Sequence, residues 1–432
     1  MSKSYATVNP CSMCMPMGMV LAFRGIEGGM PFFHGSQGCS TYMRLYLAHH
    51  FREPIDIASS ALSEKGAVYG GAANLKQGLK NVIHGYSPKV IGVATTCLAE
   101  TIGDDVWSIV REFQQEEPMA RDLPIISVST PSYAGSHEQG YSEALKSIVQ
   151  ALASDTKPNG RLNLIIGSVI SPADVRYIKD MLERFGCDCI LMPDISETFD
   201  APLAADFPKI APGGTHVSQI REMAGSKATI TIGGSILKPE AGEWLEERFS
   251  IPHTALPLPI GLEHTDLMAS KLEEATGLSM PERYETERGR LLDAMVDVHK
   301  LLANVRVAVY GDSELVLGIS RLLSEVGMDI CLMATGLNST AFAKEAGRIS
   351  PGARALYGVD FSDIQREMAG LGIELMIGPS TGRQISRAEK VPLIRVGLPN
   401  HDRFGASRQL VVGYEGAMRL LDLVANTLMD SR

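Results

Sequence analysis

Three cysteines carry the chemistry that this sequence could do. Cys14, Cys39 and Cys97 stand in CSMCMPMG, HGSQGC and TTCLAE, segments rich in Gly, Ser or Thr. Thiolates are the protein ligands of iron–sulfur clusters. Turns are also where backbone N–H groups are free to point at cluster sulfurs. Residues 9–39 hold three of the seven cysteines and show almost no helical or strand periodicity. Glycine at that density meets a need for positive φ or close backbone approach. The expectation is a loop-rich wrapping around an iron–sulfur cluster.

Other readings of the same residues stay open. Free cysteine is among the most buried residue types, so three structural thiols would fit. Cys11-x-x-Cys14 permits a zinc site or a redox dithiol. A four-thiolate zinc site would want a second such pair, and Cys187-x-Cys189 has the wrong spacing. Cys189 and Cys331 belong to apolar strand patterns and read as core. His34 and His137 lie close to glycines and read as satisfied loop histidines, with orientation of a cluster or partner loop as the alternative. Glu100, Asp104 and Asp105 follow Cys97 at a helix start, where carboxylates cap N–H groups and complement the dipole. Met13, Met15, Met17 and Met19 make either core or an adaptable apolar interface.

Strand–turn–helix units position these residues. Ser40–Phe51 reads as a helix and Leu75–Ile83 as a second. Val90–Ala94 is an apolar strand of the buried, parallel kind, running into Thr95-Thr96-Cys97, with a helix expected from about Ile102. The strand Pro124–Val128 leads to Thr130-Pro131-Ser132-Tyr133. Both polar turns follow strand C-termini, where open α/β sheets place ligands. Residues 150–161 turn polar and read as a linker. The same grammar then recurs from strand Leu162–Ile166 and from strand Arg306–Tyr310, and a final helix spans Gly413–Leu428. The fold class is α/β, with three doubly wound Rossmann-like domains and parallel sheets. The expected domains are 1–155, bearing the cluster, then 156–296 and 297–432. No GxxxxGK[ST] or GxGxxG follows a strand, so a nucleotide site has no support.

Composition bounds the function. A net charge of −10 over 432 residues gives nucleic-acid binding no electrostatic footing. No run of about 18 apolar residues suggests a membrane span, and the N-terminus lacks the apolar run of a signal peptide. The expected location is the cytoplasm, where cysteines serve as ligands or buried thiols rather than disulfides.

NPCSMCMPMG, HGSQGC with HFREP downstream, TTCLAETIGDD and TPSYAGSH resemble, in that order, the β chain of nitrogenase component 1. The similarity continues through ERGRLLDAMVDVH, VAVYGDSELVLG, VPLIRVG and VGYEGAM. The resemblance implies that Cys14, Cys39 and Cys97 ligate one half of a P-type cluster ([8Fe-7S] or [4Fe-4S]-like) at the interface with a partner. Ser132 matches the serine that can ligate the oxidised cluster. It further implies a homologous α-type subunit in an α2β2 heterotetramer, with the catalytic metal cofactor on that partner. An ATP-dependent [4Fe-4S] iron protein would be the electron donor, docking over the cluster. The sequence departs from the molybdenum type in its shorter N-terminus, in Cys11 and in NHDRFGASR at 400–408. Because it keeps Cys97, it is read as a subunit of a nitrogenase or a nitrogenase-like reductase, such as a methylthio-alkane reductase. The β-like chain of the cofactor-assembly scaffold, which shares LAFRGIEGGMPFFHGSQGC but usually lacks the equivalent of Cys97, is the second reading. A cluster-free or zinc-stabilised binding protein is a third.

Overall fold

The computed structural model describes residues 10–206, 208–238 and 240–431. The first unit comprises α1 (Met15–Arg24), β1 (Gly29–His34), α2 (Gln37–Phe51), β2 (Ala58–Ser59), α3 (Glu64–Tyr69), α4 (Ala72–Tyr86), β3 (Val90–Thr95), α5 (Cys97–Ile102), α6 (Val106–Glu116), β4 (Ile125–Ser129) and α7 (His137–Leu152). The second runs β5 (Leu162–Ile166), α8 (Pro172–Arg184), β6 (Cys189–Met192), α9 (Val217–Glu222), β7 (Ala228–Ile232), α10 (Glu240–Phe249), β8 (His253–Leu256), α11 (Gly261–Thr276) and α12 (Glu282–Leu302). The third holds β9 (Arg306–Tyr310), α13 (Ser313–Glu325), β10 (Asp329–Thr335), α14 (Thr340–Ile349), β11 (Arg354–Tyr357), α15 (Phe361–Met368), β12 (Leu375–Gly378), α16 (Arg383–Glu389), β13 (Leu393–Arg395) and α17 (Gly413–Asp430).

Each unit has its own parallel sheet. The strand orders are β2-β1-β3-β4, β6-β5-β7-β8 and β11-β10-β9-β12-β13. Val90–Thr95, Leu162–Ile166 and the inner strands of the third sheet are buried on both faces, as parallel strands covered by helices must be. The expected boundary at 296/297 falls inside the continuous helix α12.

Residues 9–39 are not the loop that their composition suggests. Asn9 lies outside the described residues, but Met15–Arg24 is a helix and Gly29–His34 a strand, every residue of both buried. A helix covered all round has no polar face, so no amphipathic period marks it. Pro16 sits in its first turn, where a missing N–H costs nothing. Met17, Met19, Val20, Leu21 and Phe23 are each at most 1% exposed, and burying such a side chain contributes ~1.5–3 kcal/mol. The methionines inside α1 are therefore the chain's own core, not an interface surface. Pro31 is tolerated in β1 because β2 pairs only with Phe32 and Phe33, leaving β1 locally an edge. Gly18 and Gly140 let the backbones of α1 and α7 touch: a Cβ on either would overlap a carbonyl oxygen of the other helix.

Helix starts also shift. The Ser36 hydroxyl accepts from Gly38 N–H at 3.3 Å, so α2 begins at Gln37 rather than Ser40. The helix expected from Ile102 instead starts at Cys97, stops at Gly103 in the left-handed region, and resumes at Val106 under an Asp105 cap.

Candidate metal centre

The register of the first sheet builds the site. His34 pairs with Thr95, and Thr95 with Ser129, so β1, β3 and β4 end side by side. The loops leaving these ends carry Cys39, Cys97 and Ser132. Thr96 fills the space beside Gly35, where any side chain would overlap it, so only glycine lets the loops after β1 and β3 lie together. The fourth contributor comes from the N-terminal segment: Cys14 bridges Ser136, just before α7.

Every thiol sits where a helix begins. Cys14 is the N-cap of α1, Cys39 lies in the first turn of α2, and Cys97 is the first residue of α5. Unpaired N–H groups and the dipole there favour thiolates. The Cys97 sulfur lies 2.8 Å from the Ser132 hydroxyl and accepts the Ser132 N–H at 3.2 Å. Burial pushes the Cys14 and Cys39 thiols above their ordinary range, and neighbouring sulfur adds to it: Cys97 acts on Cys14, and both Cys97 and Cys14 act on Cys39. Cys14 and Cys39 thus feel the charge of neighbouring sulfur, and a cationic centre beside them would reverse that penalty. Cys14 and Ser132 are exposed, Cys39 and Cys97 half-buried. Beside them Tyr42, on α2, and Tyr133 stand 64% and 70% exposed.

The donors present, three thiols with a hydroxyl beside one of them, are of the kind that iron–sulfur clusters take. Among the described residues no group of three or more His, Cys, Asp or Glu side chains is arranged to hold one metal ion. A multi-iron cluster spreads its thiolates over separate irons. The Cys11-x-x-Cys14 pair does not chelate. Cys11 is buried in the core of the third unit among Ala308, Tyr310 and Leu332, with the Gly311 and Gly336 N–H groups on its sulfur, while Cys14 faces out.

Buried polar pairs hold the ligand loops, and these the sequence reading missed. His34 is fully buried, not a loop residue. Its Nε2 lies 3.0 Å from Asp104 Oδ2 and its Nδ1 3.0 Å from the Ser60 hydroxyl, which accepts the Gly35 N–H. Asp104 also accepts the Gly71 N–H at 2.9 Å. Burial, against the pull of Asp104, lowers the His34 pKa. So Asp104 is a loop clamp rather than a cap, and Glu100 joins strand ends by accepting from Thr95 and, at 2.5 Å, from Ser129. Asp105 alone of the three caps, accepting the Ser108 N–H at 3.1 Å.

His137 does the equivalent for Cys14. Its Nδ1 accepts the Met13 N–H at 3.2 Å, and its backbone N–H reaches Met13 O at 3.0 Å. Its Nε2 lies 3.0 Å from Asp312 as a buried ion pair without the alignment of a hydrogen bond. Burial disfavours the imidazolium, but Asp312 and Glu138 outweigh it and raise the pKa. Glu138, pushed up by burial and by Asp312, accepts the Ser313 N–H and hydroxyl. No local sequence pattern announces either histidine's role, because each pairs with an acidic turn far along the chain, Asp104 or Asp312.

Three parallel α/β units with a thiol-bearing edge on the first are an arrangement already known. The sequence signature of the family described as "Nitrogenase component 1 type Oxidoreductase" matches residues 14–429. The chain is 37% identical to the nitrogenase molybdenum-iron protein beta chain of Methanococcus maripaludis, over 98% of this chain and 95% of that one. It is 36% identical to the nitrogenase vanadium-iron protein beta chain of Trichormus variabilis, over 98% and 94%. A chain of the solved structure "Nitrogenase Cp1 at pH 6.5" superposes with a TM-score of 0.96 at 33% identity, covering 100% of this chain and 95% of that one. The chain belongs to the nitrogenase component 1 family of oxidoreductases and is a subunit of its β type. Among the described residues no helix is long and apolar enough to cross a membrane.

Proposed function

We propose that this chain is the β-type subunit of a nitrogenase-like reductase and holds half of a P-type iron–sulfur cluster. Cys14, Cys39 and Cys97 supply the thiolates, and Ser132 stands ready as an oxygen ligand of the oxidised state. The observation that carries this reading is the grouping of three thiols at three helix starts on an open face, with Ser132 already on Cys97. Three thiolates from one chain leave a multi-iron cluster short of ligands, and exposed Tyr42 and Tyr133 flank the gap. A homologous α-type subunit would supply the rest, in an α2β2 assembly, and would hold the catalytic metal cofactor.

When bound, such a cluster passes electrons one at a time from an ATP-dependent iron protein toward the partner's cofactor. The part of this chain's residues is to hold three sulfurs deprotonated, fix their spacing and leave the donor-facing side open. Ser132 carries a proton on Oγ that it would have to release to bind iron. The substrate is set by the partner's pocket. Retention of Cys97 supports a reductase over an assembly scaffold.

Turnover of acetylene, protons and small methylthio compounds by the purified complex, with its iron protein and ATP, tests the proposal. Reduction of any of them, dependent on both ATP and the iron protein, is expected. No turnover, together with transfer of a precursor cluster to an apo-enzyme, would make the chain a scaffold subunit. A stable lone chain carrying a full, oxygen-resistant cluster would refute the shared site.

A further inference from the structure

A second cavity lies away from the thiols, between the C-terminal ends of α1 and α2 and the segment after β6. Its volume is about 670 Å³. Arg24, the last residue of α1, lines it while being only 4% exposed. One of its terminal amino groups donates to Thr198 O at 3.2 Å, and the guanidinium lies 5.6 Å from the Phe199 ring centroid. Its Nε has no partner. Burial lowers its pKa, against the pull of Asp56 and Glu53. Such a cation is costly unless something anionic meets it.

Two more cations share the cavity, at its exposed rim. Arg52 donates to His401 O at 3.2 Å and stacks 4.6 Å from the Phe404 ring centroid. Lys209 donates to Gly85 O at 2.7 Å. Among the described residues none of the three cations has a carboxylate within 4 Å. Glu53 and Asp56 also face the space, but Asp56 is committed to Arg44 and the Tyr86 hydroxyl, each at 3.0 Å. The wall is left net positive. The rest of the lining is aliphatic and includes Pro54, Ala201, Pro202 and Pro212.

We infer that this cavity binds a small aliphatic dicarboxylate, one carboxylate on Arg24 and the other on Arg52 and Lys209. One buried cation and two exposed ones in a mostly aliphatic lining ask for two anionic groups joined by methylenes. The volume is within the range of small-molecule sites, about 300–1,000 Å³. Arg24 selects a planar, bidentate partner such as carboxylate. Nothing in this assignment depends on the cluster.

Titration calorimetry on the purified α–β complex at low ionic strength tests it, with succinate and glutarate as probes and butyrate and inorganic phosphate as controls. Saturable binding of one dicarboxylate with a Kd below about 1 mM is expected. Arg24→Leu should weaken it about tenfold or more, as loss of a charge-assisted pair does. Lys209→Gln, a surface change that leaves folding intact, should weaken it about threefold, less because its site is solvated. Iron content should be unchanged in both variants. No saturable heat with either dicarboxylate, equal affinity for butyrate or phosphate, or full affinity in both variants would each overturn the assignment.

Discussion

At the scale of single residues, Cys97 is the sharpest test of the proposed ligation. It is fixed between a buried strand and the start of α5, so no neighbour can take its place. Cys97→Ala should lower iron content and change the electron paramagnetic resonance spectrum, while costing only about 1–2 kcal/mol of stability from lost transfer and cavity terms. Unchanged iron and spectrum would remove Cys97 from the ligand set. Cys14→Ala should be as severe. Cys11 cannot substitute for it from inside the third unit's core. Cys11→Ala should therefore keep full iron occupancy and show only a packing loss of about 1 kcal/mol. Ser132→Ala should keep the iron and shift only the oxidised state, read as a changed midpoint in a redox titration.

Single elements show what could be read from sequence and what could not. Buried parallel strands announce themselves by apolar runs between turns, as Val90–Thr95 and Leu162–Ile166 do. Half-exposed helices such as α6 and α8 announce themselves by period. Helix α1 and strand β1 gave no such signal, because complete burial erases the polar face and Gly29 and Pro31 break the strand pattern. The thiols were legible because each stands in a short distinctive motif. Their supports were not: Asp104 reaches His34 across 70 residues of chain, a distance that local spacing cannot encode. His50, on α2, adds a pH dependence. It is buried, its Nδ1 accepts the Asn400 N–H at 2.9 Å, and burial plus nearby His401 lower its pKa to about 3. Below the ordinary histidine pKa of about 6.5, the unfolded chain takes a proton that the folded one refuses. Its contribution is complete above pH 6.5 and falls as pH drops toward 3, by at most about 1.4 kcal/mol per unit. Buried carboxylates such as Asp174 and Glu314 are raised and act in the opposite sense, so the comparison is between wild type and His50→Gln. Thermal midpoints from pH 7 to 4.5 should fall less steeply in His50→Gln; parallel curves would exclude the histidine.

In the whole molecule, carboxylates, two of them buried, stitch the second and third units through backbone N–H groups. Asp174, on α8, accepts from Val411 and Val412 at 2.8 and 3.1 Å. Glu314, on α13, accepts from Ile236 at 2.8 Å and from Ser235. Glu325 takes the Leu262 and Glu263 N–H groups at the start of α11. Removing such an acceptor strands buried donors, so Glu314→Ala should cost about 2–4 kcal/mol. It should lower the melting temperature of the second and third units together. A separate, earlier transition of the third unit alone would show that the seam is not cooperative.

The His137–Asp312 pair has a consequence for the order in which the protein can be made. The peptide that carries Cys14 is the first of the ligand segments to leave the ribosome. Its anchors, His137 on α7 and the 311–313 turn, come roughly 120 and 300 residues later, with Gly336 pressing on Cys11 and Ser12 later still. Domains emerging during synthesis fold in N-to-C order, so Cys39 and Cys97 can take their places beside one sheet before the support of Cys14 is complete. A nascent chain arrested before residue 311 would hold Cys14 through Ser136 and His137 alone, without the contacts of Asp312 and Ser313 behind them. The third unit, which contributes no thiol to the candidate site, thus completes the support behind Cys14 only once the last third of the chain has been made.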